Sequence, residues 1–224
     1  MKQKFSVLIV EDHQINIDSY KNALEFAGEK ANVNFTVSEA LNCDQAFERI
    51  ASLKESGELD IVILDISLPP SKKYDILNGE GLGSLIKQKF PKCKLMVCTS
   101  LNDNFRLNSI LKSLNPDAFL IKSDITFLDL VSAINKILKD GSFYSETILN
   151  LMRKKLTSDL VLDDLDVKIL QEISNGARMK ELTDIIPLSK TGIERRKKNL
   201  KNVFKVKNDS DRDLIIKARE KGFI

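Results

Sequence analysis

The segment Asp60-Ile61-Val62-Ile63-Leu64-Asp65 constrains the fold more than any other part of this 224-residue chain. Its four consecutive apolar residues, three of them β-branched, predict a strand that is buried on both faces, which is typical of a parallel sheet. Such a strand seldom ends on a carboxylate, and ligands of open parallel sheets bind beyond the C-terminal ends of the strands. We therefore expect Asp65 to have a chemical function.

Residues 5–141 alternate between strand-like and helix-like segments. The predicted strands are 5–10, 35–37, 61–64, 95–98 and 118–121, and the predicted helices are 15–31, 43–53, 82–90, 105–114 and 128–138. Five such β-α units predict an α/β fold, a doubly wound five-stranded parallel sheet of the flavodoxin-like type.

The remainder of the chain has a different pattern. Residues 142–160 are less periodic and are interpreted as a linker, and everything from residue 161 onward reads as short helices. Helices at 179–186 and 191–204 are separated by a turn at Pro187, with Ser189 or Thr191 as the N-cap of the second. We predict domains at 1–141 and 161–224, the second a smaller all-α helix-turn-helix domain.

Charge and cysteine usage narrow the possible partners. Residues 151–224 contain 18 basic and 12 acidic residues, whereas residues 1–150 contain 17 basic and 20 acidic residues, so the second domain is expected to have a polyanionic partner. Three cysteines without metal-ligand or redox spacing, and no apolar run near 18 residues, predict a cytoplasmic protein with no membrane segment. A single histidine, His13, excludes a multi-histidine metal site.

Polar side chains follow four of the predicted strands. They are Glu11-Asp12, Asp65, Thr99 and Lys122. A Glu-Asp pair alone is typical of a turn, and Asp65 alone could be a helix N-cap, but their joint placement at one sheet edge favours a site. Clustered carboxylates repel one another and call for a divalent cation, and oxygen ligands suit Mg²⁺. The cation and the lysine could neutralise a phosphoryl group that one carboxylate attacks.

From residue 5 to about 141, this arrangement resembles the receiver domain of bacterial two-component response regulators. The resemblance implies that Asp65 is the phosphoacceptor. The other implied roles are metal binding by Glu11 through water, by Asp12, by Asp65 and by the backbone carbonyl of Ser67, phosphate binding by Lys122, and switching by Thr99 and Phe119.

Two departures from that family pattern are visible. The segment 67–79 is longer than the usual turn after the phosphoacceptor, and Phe119 stands where tyrosine is commoner. An enzyme that turns over an aspartyl phosphate, such as a phosphatase, is a rival interpretation, but it usually needs an acid two residues after the nucleophile, where this chain has Ser67. We therefore expect no enzymatic activity beyond self-phosphorylation and autodephosphorylation.

Residues 162–224 resemble the LuxR/FixJ-type DNA-binding domain. The residues that match its pattern are Gly176, the Leu188-Ser189 turn and the closing segment 218–224. The second helix of such a unit enters the DNA major groove. The residues expected to contact DNA are Lys190, Thr191, Arg195, Lys198, Lys201, Asn202 and Lys205. The helix departs from the family at its start, Thr191-Gly192-Ile193-Glu194, and at Lys197, where a core leucine is common.

The two resemblances together predict a phosphorylation-controlled transcription factor. A sensor histidine kinase would donate the phosphoryl group in the presence of Mg²⁺, and a homodimer formed on activation would bind paired DNA half-sites. An alternative remains open, in which the C-terminal domain binds a protein partner rather than DNA.

Overall fold

The computed structural model describes residues 2–56, 59–156, 160, 162–206 and 210–224. The chain divides into two units, one formed by residues 1–102 and 110–149 and the other by residues 103–109 and 150–224. None of the helices within the described ranges is long and apolar enough to cross a membrane.

In the described part of the first unit, six parallel strands form one sheet. They are β1 (Gln3–Val10), β2 (Val33–Ala40), β3 (Ile61–Leu64), β4 (Lys94–Thr99), β5 (Ala118–Ile121) and β6 (Phe143–Tyr144). Their order in the sheet is β2-β1-β3-β4-β5-β6, and every neighbouring pair is parallel. The α/β class and the parallel sheet are confirmed, but the predicted number of five strands is wrong, because β6 adds a short sixth strand beside β5.

Helices follow the strands as expected for a doubly wound sheet. They are α1 (Gln14–Ala31), α2 (Cys43–Ser56), α3 (Gly79–Lys89), α4 (Asn104–Leu114) and α5 (Phe127–Ile137). Side chains alternate between the faces of each strand, and one set packs against α1 and α5 in a single apolar core. Cys43, Cys93 and Cys98 are free and buried, in accord with their interpretation as small core residues.

The segment 142–160, interpreted as a linker, contains regular structure. Strand β6 pairs with β5, and helix α6 (Glu146–Leu156) begins two residues after β6 ends. The division between the two units falls after Leu149, inside α6. The boundaries at 141 and 161 stay a prediction.

Strand order determines where a ligand can bind. The chain moves from β1 to β2 on one side and then crosses to β3 on the other side of β1. The crevice at the C-terminal ends of β1 and β3 is therefore the topological switch point, where open α/β sheets bind ligands. Glu11 and Asp12 follow β1, and Asp65 follows β3, so all three lie at this point.

Among its described residues, the second unit contains four short helices in addition to its parts of α4 and α6. They are α7 (Asp164–Ser174), α8 (Met179–Ile185), α9 (Lys190–Val203) and α10 (Asp211–Glu220). Buried apolar residues from all four form one core, including Ile169, Leu182, Ile193, Leu200 and Leu214. Of the two predicted N-caps of α9, Ser189 is the observed one, and its hydroxyl accepts a hydrogen bond from Gly192 N at 3.2 Å. Helices α8 and α9 with the turn between them form the predicted helix-turn-helix.

Candidate functional site

An ion-paired group lies at the switch point of the sheet. Lys122, the first residue after β5, donates hydrogen bonds to Asp65 Oδ2 at 2.6 Å and to Glu11 Oε2 at 2.7 Å. Asp65 is 3% exposed and Glu11 is fully buried, so the ammonium balances two carboxylates that are out of water. Burial lowers the pKa of Lys122, but the hydrogen bonds to Asp65 and Glu11 outweigh it, and the pKa lies above its ordinary value.

Both oxygens of Glu11 have further donors. Oε1 accepts hydrogen bonds from Asn16 Nδ2 at 2.9 Å and from His13 N at 3.3 Å, and Tyr20 OH donates to Oε2 at 3.5 Å. Burial raises the pKa of the Tyr20 hydroxyl far above its ordinary value, so the hydroxyl keeps its proton and can donate. Asn16 and Tyr20 were not identified from the sequence, although their positions in the first two turns of α1, the helix that follows the acidic pair, are a signal that could have identified them.

Asp12 and His13 form the exposed side of the group. The side chain of Asp12 is 30% exposed, and its Oδ1 lies 2.7 Å from Nδ1 of His13. The hydrogen bond to Asp12 raises the pKa of His13. One possible ligand atom from each of Glu11, Asp12 and His13 lies within 4.8 Å of the others, which is a spacing that a metal ion can bridge. Asp65 is not a member of this set.

Ser67 and Thr99 lie on the Asp65 side of the crevice. Ser67 N donates to Asp65 Oδ1 at 2.8 Å, and Ser67 Oγ lies 3.5 Å from Thr99 Oγ1. Thr99 is fully buried at the end of β4, and its hydroxyl also accepts a hydrogen bond from Leu101 N at 3.2 Å. The structure thus brings Glu11, Asp65, Thr99 and Lys122 together around one crevice.

Phe119 is a buried residue within β5, whereas the crevice lies beyond the C-terminal ends of the strands. It is fully buried in β5, and its backbone oxygen accepts a hydrogen bond from Ser145 N at 3.0 Å. Because side chains alternate along a strand, Phe119 and Ile121 project from the face opposite to that of Leu120. Phe119 belongs to the strand that ends next to Lys122, and it precedes Lys122 by three residues.

The long segment after Asp65 is a folded loop that packs on α2. Ser71 and Ile76 exchange two backbone hydrogen bonds at 2.7 and 3.1 Å. The ring of Tyr74 stacks on Phe47 with the ring centroids 4.0 Å apart, and Tyr74 OH donates to Glu48 at 3.0 Å. These contacts give a loop next to the crevice a defined conformation.

The loop returns to Asp65 at Gly79, the first residue of α3. A Cβ at this position would lie 2.1 Å from the backbone oxygen of Asp65 and 2.7 Å from Cα of Ile66. Gly79 N also donates to Ile66 O at 3.2 Å. Only glycine permits this close approach between the start of α3 and the end of β3.

Comparison with known proteins agrees with this site. The family model described as "Response regulator receiver domain" matches residues 7–135, more than half of the chain. The chain belongs to the response regulator receiver family.

Relatives of this response regulator extend the similarity beyond the receiver. Fimbriae Z protein of Salmonella typhimurium is 25% identical over 201 residues, which cover 87% of this chain and 88% of the relative. Transcriptional regulatory protein ComA of Bacillus subtilis is 23% identical over 219 residues, which cover 95% of this chain and 97% of the relative. At these coverages both alignments extend into the second unit.

A solved structure has the same fold over nearly the whole response regulator. RcsB from Salmonella enterica serovar Typhimurium, bound to promoter DNA in the presence of the phosphomimetic BeF₃⁻, matches with a TM-score of 0.62 at 24% identity. The match covers 95% of this chain and 97% of that chain. At this identity the likeness concerns the fold.

The second unit of the response regulator exposes one face of α9. The outward-facing residues at helical spacing are Thr191, Arg195, Lys198 and Asn202, and Lys190 and Lys205 lie at the two ends of the helix, also exposed. Asn199 is exposed beside this stripe as well and was not identified from the sequence. Glu194 is exposed too, and it lies 4.0 Å from Lys190.

Lys201 differs from the other predicted DNA-contact residues. Its side chain is only 12% exposed, and Nζ lies 2.8 Å from Asp211 Oδ1. Lys197, the residue at the position where a core leucine is common, contacts the other oxygen of the same carboxylate at 2.7 Å. The structure therefore places Lys201 in the contact between α9 and α10, and its expected contact with DNA stays a prediction.

Proposed function

We propose that this response regulator accepts a phosphoryl group on Asp65 and, once phosphorylated, regulates transcription by binding DNA through its second unit. The observation that carries the proposal is the 2.6 Å contact between Lys122 Nζ and a buried oxygen of Asp65, with Glu11 on the same ammonium. Family membership supports the receiver role. The relatives support the output, since ComA is a transcriptional regulatory protein and RcsB binds DNA in its solved structures.

The phosphoryl transfer needs a nucleophile and a positive charge. A carboxylate oxygen of Asp65 forms a bond to the phosphorus of a phosphohistidine on a sensor histidine kinase. The phosphorus–nitrogen bond breaks, and the departing imidazole nitrogen takes the electron pair and then a proton. Ser67 N holds one oxygen of Asp65 at 2.8 Å, and the Lys122 ammonium lies where the added negative charge develops.

The acidic residues fit a divalent cation. Glu11 and Asp12 offer hard oxygen ligands at a spacing that one ion can bridge, which supports Mg²⁺ at this position. Asp65 and the backbone carbonyl of Ser67 would be its further ligands, as the receiver family implies. When bound, Mg²⁺ supplies positive charge that offsets the repulsion between the carboxylates and the phosphoryl oxygens. Asn16 and Tyr20 hold Glu11 in place for this role.

Phosphorylation replaces the single negative charge of the Asp65 carboxylate with the roughly 1.5 to 2 negative charges of the phosphoryl group. We expect the Lys122 ammonium and the Thr99 hydroxyl to contact the phosphoryl oxygens and Phe119 to repack within its face of the sheet. The repacked receiver would favour a homodimer, whose two helix-turn-helix units bind paired half-sites on DNA. Moving a mostly inactive population to a mostly active one requires a differential of roughly 5 kcal/mol between the two states.

Mass spectrometry tests the phosphoacceptor. After incubation with acetyl phosphate and Mg²⁺, the wild type should gain the mass of one phosphoryl group, and Asp65→Asn should gain none. Asp75→Asn is the matched control, because Asp75 is an exposed aspartate of the adjacent loop. No gain by the wild type, or an equal gain by Asp65→Asn, would contradict the assignment.

DNA recovery tests the output and its regulation together. Genome-wide recovery of bound DNA should yield defined sites with the wild type and far fewer with Asp65→Asn. Binding to these sites should weaken steeply with added salt, since contacts to phosphates release counterions. Absence of DNA retention even at low salt would favour the alternative in which the second unit binds a protein.

A further inference from the structure

A buried hydroxyl lies next to the lysine of the proposed phosphorylation site. Ser145 directly follows β6 and is 4% exposed. Its Oγ accepts a hydrogen bond from Ile121 N at 3.1 Å. Ile121 is the last residue of β5 and directly precedes Lys122, and no role in phosphoryl transfer has been assigned to Ser145.

This hydroxyl continues the pairing of β6 with β5 beyond the end of β6. Phe143 N donates to Asp117 O at 3.1 Å and Ser145 N donates to Phe119 O at 3.0 Å, as expected for parallel strands. At the next step the chain turns into α6, and the side chain of Ser145 accepts the Ile121 amide. Because Ile121 is 2% exposed, its amide has no access to bulk water as a replacement partner.

A second hydrogen bond joins the other side of Lys122 to the same segment. Lys122–Asp124 forms a single turn of 3₁₀ helix. Oδ2 of Asp124 accepts a hydrogen bond at 2.9 Å from Thr147 N, in the first turn of α6. Amides in the first turn of a helix lack partners within the helix, so Asp124 caps α6 from a distant part of the sequence.

We propose that Ser145 and Asp124 are positioning residues for Lys122, and that they link the phosphorylation site to the start of α6. The proposal rests on the roles proposed above for Asp65 and Lys122. Lys122 lies between the Ile121 amide, which donates to Ser145 Oγ, and the Asp124 carboxylate, which accepts from Thr147 N. A displacement of its ammonium toward a phosphoryl group on Asp65 therefore changes the two hydrogen bonds that fix the start of α6.

The rate of self-phosphorylation tests the positioning role. Initial rates with acetyl phosphate and Mg²⁺ should be followed by mass spectrometry over a range of donor concentrations. Loss of one hydrogen bond to a buried amide is equivalent to a factor of roughly five or more in an equilibrium constant. We expect Ser145→Ala to lower the maximal rate of phosphorylation by a factor of that size. Ser145→Thr, which keeps the hydroxyl, should restore it. Ser123→Ala, an exposed serine in the same turn, is the matched control and should match the wild type.

Hydrogen exchange tests the link to α6. In the wild type, phosphorylation should change the exchange rate of the Thr147 amide. Asp124→Ala should raise the exchange rate of the Thr147 amide in the unphosphorylated protein and abolish its change on phosphorylation. Asp124→Asn, which keeps an acceptor oxygen, should retain the change on phosphorylation. Asp124→Ala provides this readout even if Ser145→Ala does not fold.

Two outcomes have different meanings. Folded Ser145→Ala with a wild-type maximal rate, or an exchange rate at Thr147 that phosphorylation does not change, would overturn the positioning proposal. A wild type that gains no phosphoryl group on Asp65 would instead overturn the proposed function, and the mass measurement detects this before any variant is compared.

Discussion

At the scale of single residues, the crevice carries more negative than positive charge. Glu11, Asp12 and Asp65 converge there, and the ion pairs that Lys122 makes with described residues are those with Glu11 and Asp65. Like charges held close together reduce the stability of the folded state, and such strain is common where function requires the charges. The crevice is therefore expected to be less stable than a neutral one until a cation binds.

The substitution Asp12→Asn should remove part of this repulsion. Without Mg²⁺, we expect the free energy of unfolding to increase by about 1 kcal/mol. Single stabilising substitutions in other proteins typically have effects of this size. Mg²⁺ should stabilise the wild type through binding to the folded state and should stabilise the variant much less. Urea denaturation with and without Mg²⁺ measures both effects. A variant that is less stable than the wild type without Mg²⁺ would contradict the argument.

Gly79→Ala should disturb the backbone of the phosphoacceptor directly. The added Cβ would lie 2.1 Å from the backbone oxygen of Asp65, so the end of β3 or the start of α3 must move. We expect a loss of at least about 2 kcal/mol in the free energy of unfolding, together with slower phosphorylation.

Gly81→Ala is the matched control for Gly79→Ala. Gly81 lies two residues later in the same helix, and its Cβ would meet only Ile76 Cγ2, at 3.7 Å. Alanine has a better helix propensity than glycine, so this variant should be as stable as the wild type or more stable by up to about 1 kcal/mol. Equal losses for both variants would show that helix propensity, not the contact with Asp65, governs the effect.

At the scale of helices and strands, the end of a helix gives a pH-dependent prediction. Asp163 caps α7, since its Oδ1 accepts from Asp166 N at 2.8 Å, and its Oδ2 lies 2.7 Å from Arg196. The hydrogen bond from the Asp166 backbone, and then Arg196, lower the pKa of Asp163 below its ordinary value of 3.8. The ionised cap therefore stabilises the second unit above pH 3.8, and this stability is lost as the pH falls through the lower pKa of the folded state.

Asp163→Asn keeps the capping oxygen but cannot titrate. At neutral pH the variant should be less stable than the wild type by roughly 1 kcal/mol, since the exposed ion pair with Arg196 is screened by solvent. The difference should shrink as the pH falls below 3.8. Thermal unfolding as a function of pH measures it, with Asp184→Asn, an exposed aspartate of α8, as the control. A difference that is independent of pH would exclude ionisation as the cause.

Which elements could be predicted depends on whether their signal is local. Strand β3 was predicted to the residue, because each of its four residues is apolar and both of its faces are buried. Strand β6 has only two residues and is recognisable by its pairing with β5, so nothing in its own composition identifies it. The pairing of β6 with β5 brings Ser145 to the residue that precedes Lys122.

The site followed the same division. The residues at the strand ends lie together as expected, because parallel strands bring their C-terminal ends to one edge. The hydrogen bonds from Asn16 and Tyr20 to Glu11 depend on how α1 packs on the sheet. Lys201 was expected to contact DNA, but its Nζ lies 2.8 Å from Asp211 Oδ1 of the next helix. Spacing along one helix cannot report a partner on another.

At the scale of the whole molecule, the two parts of the chain carry opposite charge. Residues 1–150 have three more acidic than basic residues, and residues 151–224 have six more basic than acidic ones. Such asymmetry attracts a polyanion to the second unit alone. Net charge does not distinguish basic residues that face a ligand from those that are paired within the fold, and α9 contains both kinds.

Lys198 and Lys201 separate these two kinds of basic residue within one helix. Lys198 is exposed on the outward face, so if it contacts a DNA phosphate, Lys198→Ala should reduce the slope of log affinity against log salt by about 0.9. Lys201→Ala should keep the wild-type slope but reduce the free energy of unfolding by up to about 1 kcal/mol, since it loses the contact with Asp211. Fluorescence anisotropy of a labelled duplex with the phosphorylated full chain gives the slopes, and urea denaturation gives the stabilities. If both variants reduced the slope equally, long-range charge would govern binding, and the exposed face of α9 would have no special role in it.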